Sequence, residues 1–297
     1  MNPSSLLQLF ALAAIWGGSF LFMRIAATVL SPAVMIEVRV GLAALFLSVV
    51  AFALKKKLPL LQHWKHFLII GLFNSALPFL LFAWSAQTLT ASMLSILNAT
   101  SPIWGTLIGV VARQNSLTVK TVIGLLSGIL GVALLVGLDG VVFQDKAEWA
   151  IIAALGAAFS YGIASTYART AASVPAFDNA HGSMWAATLL IMPLLIFSPV
   201  NDIPGTDVIT SVLLLGVVCT GMAYLIYFKL IADIGAPSAL TVTFLVPVFG
   251  VAWGALILDE AIGWHMVAGT LMVIVGTALV TGFSISSLFK RKGKVNA

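Results

Sequence analysis

The residues best suited to chemistry in this chain are polar and aromatic side chains set at helical intervals inside long apolar stretches. The stretch WGGSFLFMR, for example, places Trp16 and Ser19 one helical turn apart, so both can face the same side of a helix. Rings, small residues and a few hydroxyls suit the binding of a neutral or zwitterionic amphipathic solute. They suit a highly charged solute poorly.

Similar residues recur in other apolar stretches, and we predict that together they line a substrate-binding cavity. The predicted substrate-binding residues are Trp16, Ser19, Asn74, Pro78, Phe82, Ser95, Asn98, Tyr161, Ser165, Tyr224, Tyr227 and Thr243. Asn98 is the most informative of them, because an unpaired amide in hydrocarbon is costly and needs a partner in a helix, a water or a ligand. A satisfied interhelical hydrogen bond is the alternative role for Asn98.

Few charged residues interrupt these stretches. Three of them, Arg24, Glu37 and Arg39, lie near the outer ends of the first two apolar stretches, where their polar groups can reach water or pair with each other. We interpret them as a structural Arg–Glu cluster, with an extracellular gate as the alternative. Pro102 and Pro247 perturb their helices and are assigned a structural or gating role. The absence of an acid at mid-membrane favours facilitated diffusion over proton or sodium coupling, although carbonyls and hydroxyls can also bind sodium.

Motifs of enzymes and metal sites do not occur in the sequence. It contains no G-x-x-x-x-G-K-[ST], H-E-x-x-H or G-x-S-x-G pattern. His63 and His66 have a spacing that metal ligands can use, but they flank Trp64 and Lys65 in a basic loop, which favours an interfacial anchor. We therefore predict that the protein is not an enzyme and binds no metal or cofactor.

The composition indicates an integral membrane protein. Apolar residues make up 61% of the 297 and charged residues only 8%, whereas soluble domains carry roughly 25% charge. Unbroken apolar windows predict helices rather than barrel strands, which would alternate. Ten windows are long enough to span a bilayer, at 4–24, 33–54, 67–87, 91–112, 118–138, 149–169, 178–199, 208–232, 236–257 and 262–284.

Lysine and arginine placement predicts the orientation of these spans. Twelve lysines and arginines fall on the side that holds both termini, and only Lys146 falls on the opposite side. The twelve are Lys55, Lys56, Lys57, Lys65, Arg113, Lys120, Arg169, Lys229, Lys290, Arg291, Lys292 and Lys294. Cytoplasmic loops carry the positive excess, so both termini are predicted to be cytoplasmic. The net charge of +5 reflects this asymmetry and not nucleic-acid binding.

The chain contains an internal repeat of two halves. At an offset of 145 residues seven glycines coincide, whereas 11 glycines in the first 145 residues and 14 in the remaining 152 predict about one by chance. Trp16 and Tyr161 are mates at this offset, and so are Gly17 and Gly162. The predicted halves are 1–145 and 146–297. Each holds five spans, an odd number, so the second must be inverted, as in carriers that alternate access around a site between repeats.

The segment after the fourth span is basic, whereas the matching segment after the ninth span is acidic. Arg113-Gln114-Asn115 follows the fourth span, whereas Leu258-Asp259-Glu260 follows the ninth. Asp259 and Glu260 precede the tenth span, where negative charge suits a helix N-terminus. We assign them that role, with ion ligation as the alternative.

The sequence resembles the EamA-type ten-helix exporters of the drug/metabolite transporter superfamily. The resemblance lies in WGGSFLFMR, in ASMLSILNATSPIWGTLIGV and above all in APSALTVTFLVPVFGVAWGALILDEAIGWHMVAGTLMVIVG. It implies a basket of two inverted five-helix halves around a central cavity, lined by the third, fourth, eighth and ninth helices with the first and sixth. It also implies export of small metabolites across the bacterial inner membrane. Within the family the chain looks most like the YddG-type exporters of aromatic and other neutral amino acids, although Cys219 and Ala223 lack aromatic character.

These patterns together predict an exporter of neutral amino acids, with aromatic ones foremost, or of similar small metabolites. It would work by alternating access as a facilitator, with the lipid bilayer and a small-molecule substrate as its partners. The alternatives are a proton- or sodium-coupled exporter of drugs or other organic solutes, and a membrane receptor that transports nothing. The oligomeric state stays open, and a monomer is compatible with the sequence.

Overall fold

The structure of the chain, a computed structural model, describes residues 3–138, 146–171, 173–198 and 203–282. These residues form helices and connecting turns without β-strands, which confirms the predicted all-α membrane fold. The ten helical units are α1 (Pro3–Ala26), α2 (Pro32–Ala53), α3 (Leu60–Gly71, Leu72–Ala76 and Leu77–Ser85), α4 (Ala91–Asn98 and Ser101–Val111), α5 (Val119–Leu138), α6 (Ala147–Thr170), α7 (Ala176–Ile191 and Met192–Phe197), α8 (Thr206–Leu213, Leu214–Met222 and Ala223–Ile234), α9 (Ala236–Ala239 and Val242–Leu258) and α10 (Trp264–Thr281).

Nine of these described units are at least 18 residues long and apolar enough to cross a membrane. In α9 the longer part spans 17 residues, and a short turn precedes it. Each predicted window overlaps one unit. The basic residues after 282 lie outside the described residues. Residue 145, which ends the first predicted repeat, also lies outside them.

Helix α2 illustrates how the sequence sets these elements. Ser31 precedes it as the N-cap, accepting a hydrogen bond from the Val34 amide at 3.4 Å, and Pro32 begins the helix with a suitable φ. Leu45, Val49 and Phe52 follow at helical intervals and are exposed on one face. An apolar stripe of this kind on a membrane helix is the surface that contacts lipid.

Two helices contain wide π-type turns at matching places of the repeat. In α3 the π segment is Leu72–Ala76, and in α8 it is Leu214–Met222. Pro78 explains the first, because it lacks an amide hydrogen and leaves the backbone carbonyl one turn earlier without its helical donor. The buried hydroxyl of Ser160 on α6 donates to the nearby Phe73 carbonyl at 2.7 Å. Such turns often lie at functional sites.

Close glycine contacts explain the repeat of glycines along the chain. A Cβ added to Gly124 of α5 would lie 2.7 Å from the Gly276 carbonyl oxygen of α10, and one on Gly131 would lie 2.9 Å from that of Gly269. Both distances are too short for a side chain. Since the earlier residue of α5 meets the later residue of α10, these two repeat-related helices run antiparallel.

Helices of opposite halves also pack through glycines in two contacts that match in the repeat. Gly17 of α1 packs on Gly250 of α9, and its mate Gly162 of α6 packs on Gly105 of α4. In both contacts an added Cβ would lie 2.8 Å from a backbone nitrogen of the partner glycine. Small residues therefore let the backbones of the two halves approach closely, as expected for helices in lipid.

Candidate functional site

Aromatic and polar side chains from both halves meet in the middle of the bundle. The Asn74 amide nitrogen lies 3.4 Å from the Tyr224 hydroxyl, to which it donates a hydrogen bond. The rings of Trp16 and Tyr227 lie 5.4 Å apart between centroids, and those of Phe82 and Tyr161 lie 6.4 Å apart. We call this set the central cluster; its members are Trp16, Asn74, Phe82, Tyr161, Tyr224 and Tyr227.

Helices α1, α3, α6 and α8 position the central cluster. Trp16 and Tyr161 are repeat mates on α1 and α6, and each contacts a ring on a helix of the opposite half. Asn74 belongs to the π segment of α3, whose wide turn displaces its side chain relative to a regular helix. Thus the structure brings six of the twelve predicted binding residues together.

Arg39 of α2 lies beside this cluster and is only 4% exposed. Its Nε donates to Thr220 Oγ1 at 3.1 Å, and its Nη1 lies 3.6 Å from the sulfur of Met23. The guanidinium carbon is 3.8 Å from the centroid of the Phe79 ring, a cation–π contact. Its partners Thr220 and Phe79 lie one helical turn before Tyr224 and Phe82, which belong to the central cluster.

The expected Arg–Glu cluster does not form among the described residues. Arg24 instead donates to the backbone carbonyls of Ala86 and Gln87 at 2.7 and 2.9 Å, at the end of α3. Glu37 has one carboxylate oxygen buried without a hydrogen-bond partner. Residues two apart on a helix point to different sides, so α2 cannot direct Glu37 and Arg39 at the same neighbours.

Other predicted residues satisfy their hydroxyl groups locally. Ser19, Ser95 and Ser165 each donate to a carbonyl three residues earlier in their own helix, at 2.7, 2.8 and 2.9 Å. Thr243 does the same to Leu240 at 2.8 Å. Their hydroxyl oxygens still have a lone pair that can accept a hydrogen bond.

The remaining predicted residues shape the backbone around the site. Pro78 is buried in α3. Pro102 lies in the first turn of the second segment of α4, after the helix breaks at Ala99. Pro247 lies inside α9. The partly buried side chain of Asn98 precedes the break in α4 and forms no hydrogen bond to a described residue, so the interhelical bond considered for it is not formed.

The two ends of the bundle are not equivalent. We call the end at which α1 begins and α10 ends the proximal side, and the other end the distal side. On the distal side the Glu260 carboxylate accepts hydrogen bonds from the backbone amides of Ala91 and Ser92, at 2.7 and 3.0 Å, and from the Ser92 hydroxyl. It thereby caps the first turn of α4.

This cap corrects the role predicted for Glu260 at the start of α10. Asp259 adopts a left-handed conformation with φ of 52°, and the chain turns there so that Glu260 reaches α4. The residue that actually precedes α10 is Gly263.

Helices α4 and α9 pack together on the distal side, and this contact lacks a proximal counterpart among the described residues. On the distal side Ser95 is fully buried against Gly250. Their mates are Leu240 and Gly105, which do not meet. Leu240 is 51% exposed, and an added Cβ on Gly105 would contact Ser165 and Gly162 of α6. The end of α4 is therefore separated from the start of α9.

The histidine pair lies at a separate, proximal cavity of about 420 Å³. His66 contacts the Tyr167 hydroxyl at 3.3 Å and the Asn179 side-chain oxygen at 2.9 Å, so it joins α3 to α6 and α7. Within the described part of the chain no three potential metal ligands are grouped.

Sequence reasoning missed several residues that contact the site. Thr220 and Phe79 hold the Arg39 guanidinium, yet neither was among the predicted binding residues. Each follows a residue that had been considered, Cys219 and Pro78 respectively. A face drawn for a regular α-helix misplaces neighbours where the turn is wider, which is the case in the π segment of α8.

Comparison with known proteins shows a double match to one family. Residues 3–137 and residues 148–282 each match the EamA-like transporter family. An uncharacterized transporter of Bacillus subtilis (strain 168), YoaV, is 24% identical over 282 residues, which cover 93% of this chain and 96% of that protein. An uncharacterized transporter of Archaeoglobus fulgidus is also 24% identical, over 95% of this chain and 98% of the relative.

A crystal structure is similar over almost the whole chain. It superposes with a TM-score of 0.67 at 18% identity, covering 94% of this chain and 96% of the other. At this identity the likeness concerns the fold.

Proposed function

Because this chain belongs to the EamA-like transporter family of the drug/metabolite transporter superfamily, we propose that it exports neutral amino acids, aromatic ones foremost, or similar small metabolites. The family has two repeats of five helices and consists of membrane transporters, not enzymes. The protein is accordingly a multi-pass membrane transporter with a small-molecule substrate. The substrate class, the direction and the mechanism are the content of the proposal.

The observation that carries the proposal is the central cluster between the two repeats. Rings from α1, α3, α6 and α8 surround one amide and several hydroxyls. Aromatic and apolar surface with a few polar groups favours a solute that has an apolar body and a small polar head. Neutral amino acids with large side chains have this form.

Alternating access is supported by the difference between the two ends of the bundle. Repeat mates pack antiparallel at α5 and α10, as an inverted repeat requires. Among the described residues, the α4–α9 contact is found on the distal side and not on the proximal side. In the opposite state, we propose, the proximal mates Leu240 and Gly105 meet while Ser95 separates from Gly250.

The proximal side is proposed to be cytoplasmic in the bacterial inner membrane, because the basic loops lie there. The repeats are proposed to divide at residues 1–145 and 146–297. Facilitated diffusion is supported by the surroundings of the central cluster, where the described residues include no acid. Glu37 is the acid nearest along α2, and it points to another side of that helix.

Flux from liposomes tests this function. Vesicles that contain the purified protein and preloaded phenylalanine should release it faster than empty vesicles, with and without proton or sodium gradients. Trp16→Ala should lower the rate about tenfold because the ring contact with Tyr227 is lost. Trp264→Ala, which removes a ring that is 69% exposed at the start of α10, is the matched control.

Three outcomes would change the proposal. Absence of protein-dependent flux for all twenty amino acids would refute it. A flux that collapses without an ion gradient would overturn the facilitator mechanism. Stronger competition by organic drugs than by amino acids would favour a drug exporter instead.

A further inference from the structure

Arg39 is a buried cation without an anionic partner among the described residues. The ion pair within the described part of the chain joins Lys229 and Asp233, which are exposed on α8. Arg39, by contrast, is 96% shielded, and its neighbours are a hydroxyl, a thioether and an aromatic ring. Buried charges in proteins are usually paired, because desolvation of an isolated charge is very unfavourable.

The contacts of Arg39 orient its guanidinium without using all its donors. A guanidinium has five N–H groups arranged to match a planar carboxylate. One of them donates to Thr220, and a second lies near sulfur, which is a weak acceptor. Thr220 is itself held in place, because its hydroxyl donates to the Leu215 carbonyl at 2.8 Å. The guanidinium is therefore held along one edge, and its other N–H groups have no strong acceptor among the described residues.

The position of Arg39 connects this charge to the central cluster. Thr220, which accepts a hydrogen bond from its Nε, lies one helical turn before Tyr224, a member of that cluster. Phe79 stacks on its guanidinium, and Phe82, one turn further along α3, contacts Tyr161. The guanidinium is therefore adjacent to the rings that would surround a bound solute.

We propose that Arg39 binds the carboxylate of the transported substrate, and that the transporter selects solutes with a carboxylate over the matching amides and amines. This inference rests on the proposed function and specifies its substrate class. An incoming carboxylate would supply the anion that Arg39 lacks and accept two parallel hydrogen bonds. The aromatic members of the central cluster would contact the apolar side chain of the same molecule.

A purely structural role for Arg39 makes a different prediction. In that role the residue would only hold α2 to α1, α3 and α8 through Met23, Phe79 and Thr220. Its loss would then reduce the transport of every substrate by the same factor. Selectivity between an acid and its amide consequently separates the two roles.

The first experiment uses the wild-type protein in liposomes and measures competition with the exchange of labelled phenylalanine. We expect unlabelled phenylalanine and 3-phenylpropionate to compete, and phenylalaninamide and phenethylamine to compete at least tenfold less well. Equal competition by the acids and by the amide and amine would overturn the inference. If no substrate is transported, the proposed function itself fails, so the two failures are distinguishable.

The second experiment uses Arg39→Gln and Arg39→Lys. We expect R39Q to lose about 10- to 100-fold in phenylalanine transport, which is the range for hydrogen bonds to a charged group, while transport of phenylalaninamide changes little. R39K should restore part of the rate, because it keeps the charge but not the planar fork. An equal loss for acid and amide would show a structural role.

Lys229→Gln is the matched control for the second experiment. It removes one positive charge from the exposed pair with Asp233, away from the central cluster. Acid and amide transport should both keep their wild-type rates in this variant. The wild-type competition series decides the inference even if R39Q does not fold.

Discussion

The cap that Glu260 places on α4 should determine how often the distal side is closed. Its carboxylate accepts from two backbone amides and one hydroxyl at the start of α4. Glu260→Gln removes the charge and replaces one acceptor oxygen by an NH₂ group that faces N–H donors. Losing a charged hydrogen bond and a favourable helix-terminus charge costs about 2–4 kcal/mol. If the distal-open state lacks the cap, its population relative to the closed state should rise about 30- to 1,000-fold.

Cysteine labelling measures this shift. Ser95→Cys, placed in a Cys219→Ala background that has no other cysteine, puts a thiol between α4 and α9, where residue 95 is fully buried. A membrane-impermeant maleimide added on the distal side should label it slowly. Adding Glu260→Gln should raise the labelling rate by at least tenfold, because the α4–α9 contact opens more often.

Asp259→Asn is the matched control for the cap. It removes the same charge from the neighbouring residue, for which the described structure contains no side-chain hydrogen bond. Its labelling rate should equal that of the parent. A Glu260→Gln protein that labels no faster than the parent would refute the idea that this cap stabilises distal closure.

Three further predictions concern packing. Gly17→Ala should lower stability by about 1–3 kcal/mol, measured as the thermal unfolding midpoint in detergent, because the added Cβ would lie 2.8 Å from the Gly250 backbone nitrogen. Gly41→Ala should leave the midpoint unchanged or raise it, because an added Cβ would have no neighbour within 4 Å and alanine favours helix. An equal loss of stability in both variants would contradict close packing as the cause. Ser160→Ala should cost about 1–3 kcal/mol by leaving the Phe73 carbonyl without its buried donor, and an unchanged midpoint would show that another group replaces it.

Composition, apolar windows and glycine spacing were enough to predict the membrane fold, the number of helical units and the internal repeat. These follow from local composition and from small residues at a constant offset, both of which are properties of the linear chain. The glycines illustrate the point: Gly124 and Gly269 coincide in the sequence because each must admit a backbone on the other side of the repeat. Helical periodicity and the repeat also predicted Trp16, Asn74 and Tyr161, which the structure places in the central cluster.

The partners of the charged residues and the difference between the two ends follow instead from the packing of residues that are distant in the chain. Arg39 and Glu37 are neighbours in sequence, but the direction of each side chain around α2 gives them different surroundings. Glu260 precedes α10 but caps α4, because the turn at Asp259 directs it there. The contact of Ser95 with Gly250, and the separation of their mates, arise only when helices from the two halves pack together. The repeat matches helices of the two halves, but it does not show which of two matched contacts forms, because each contact joins residues that are far apart in the chain.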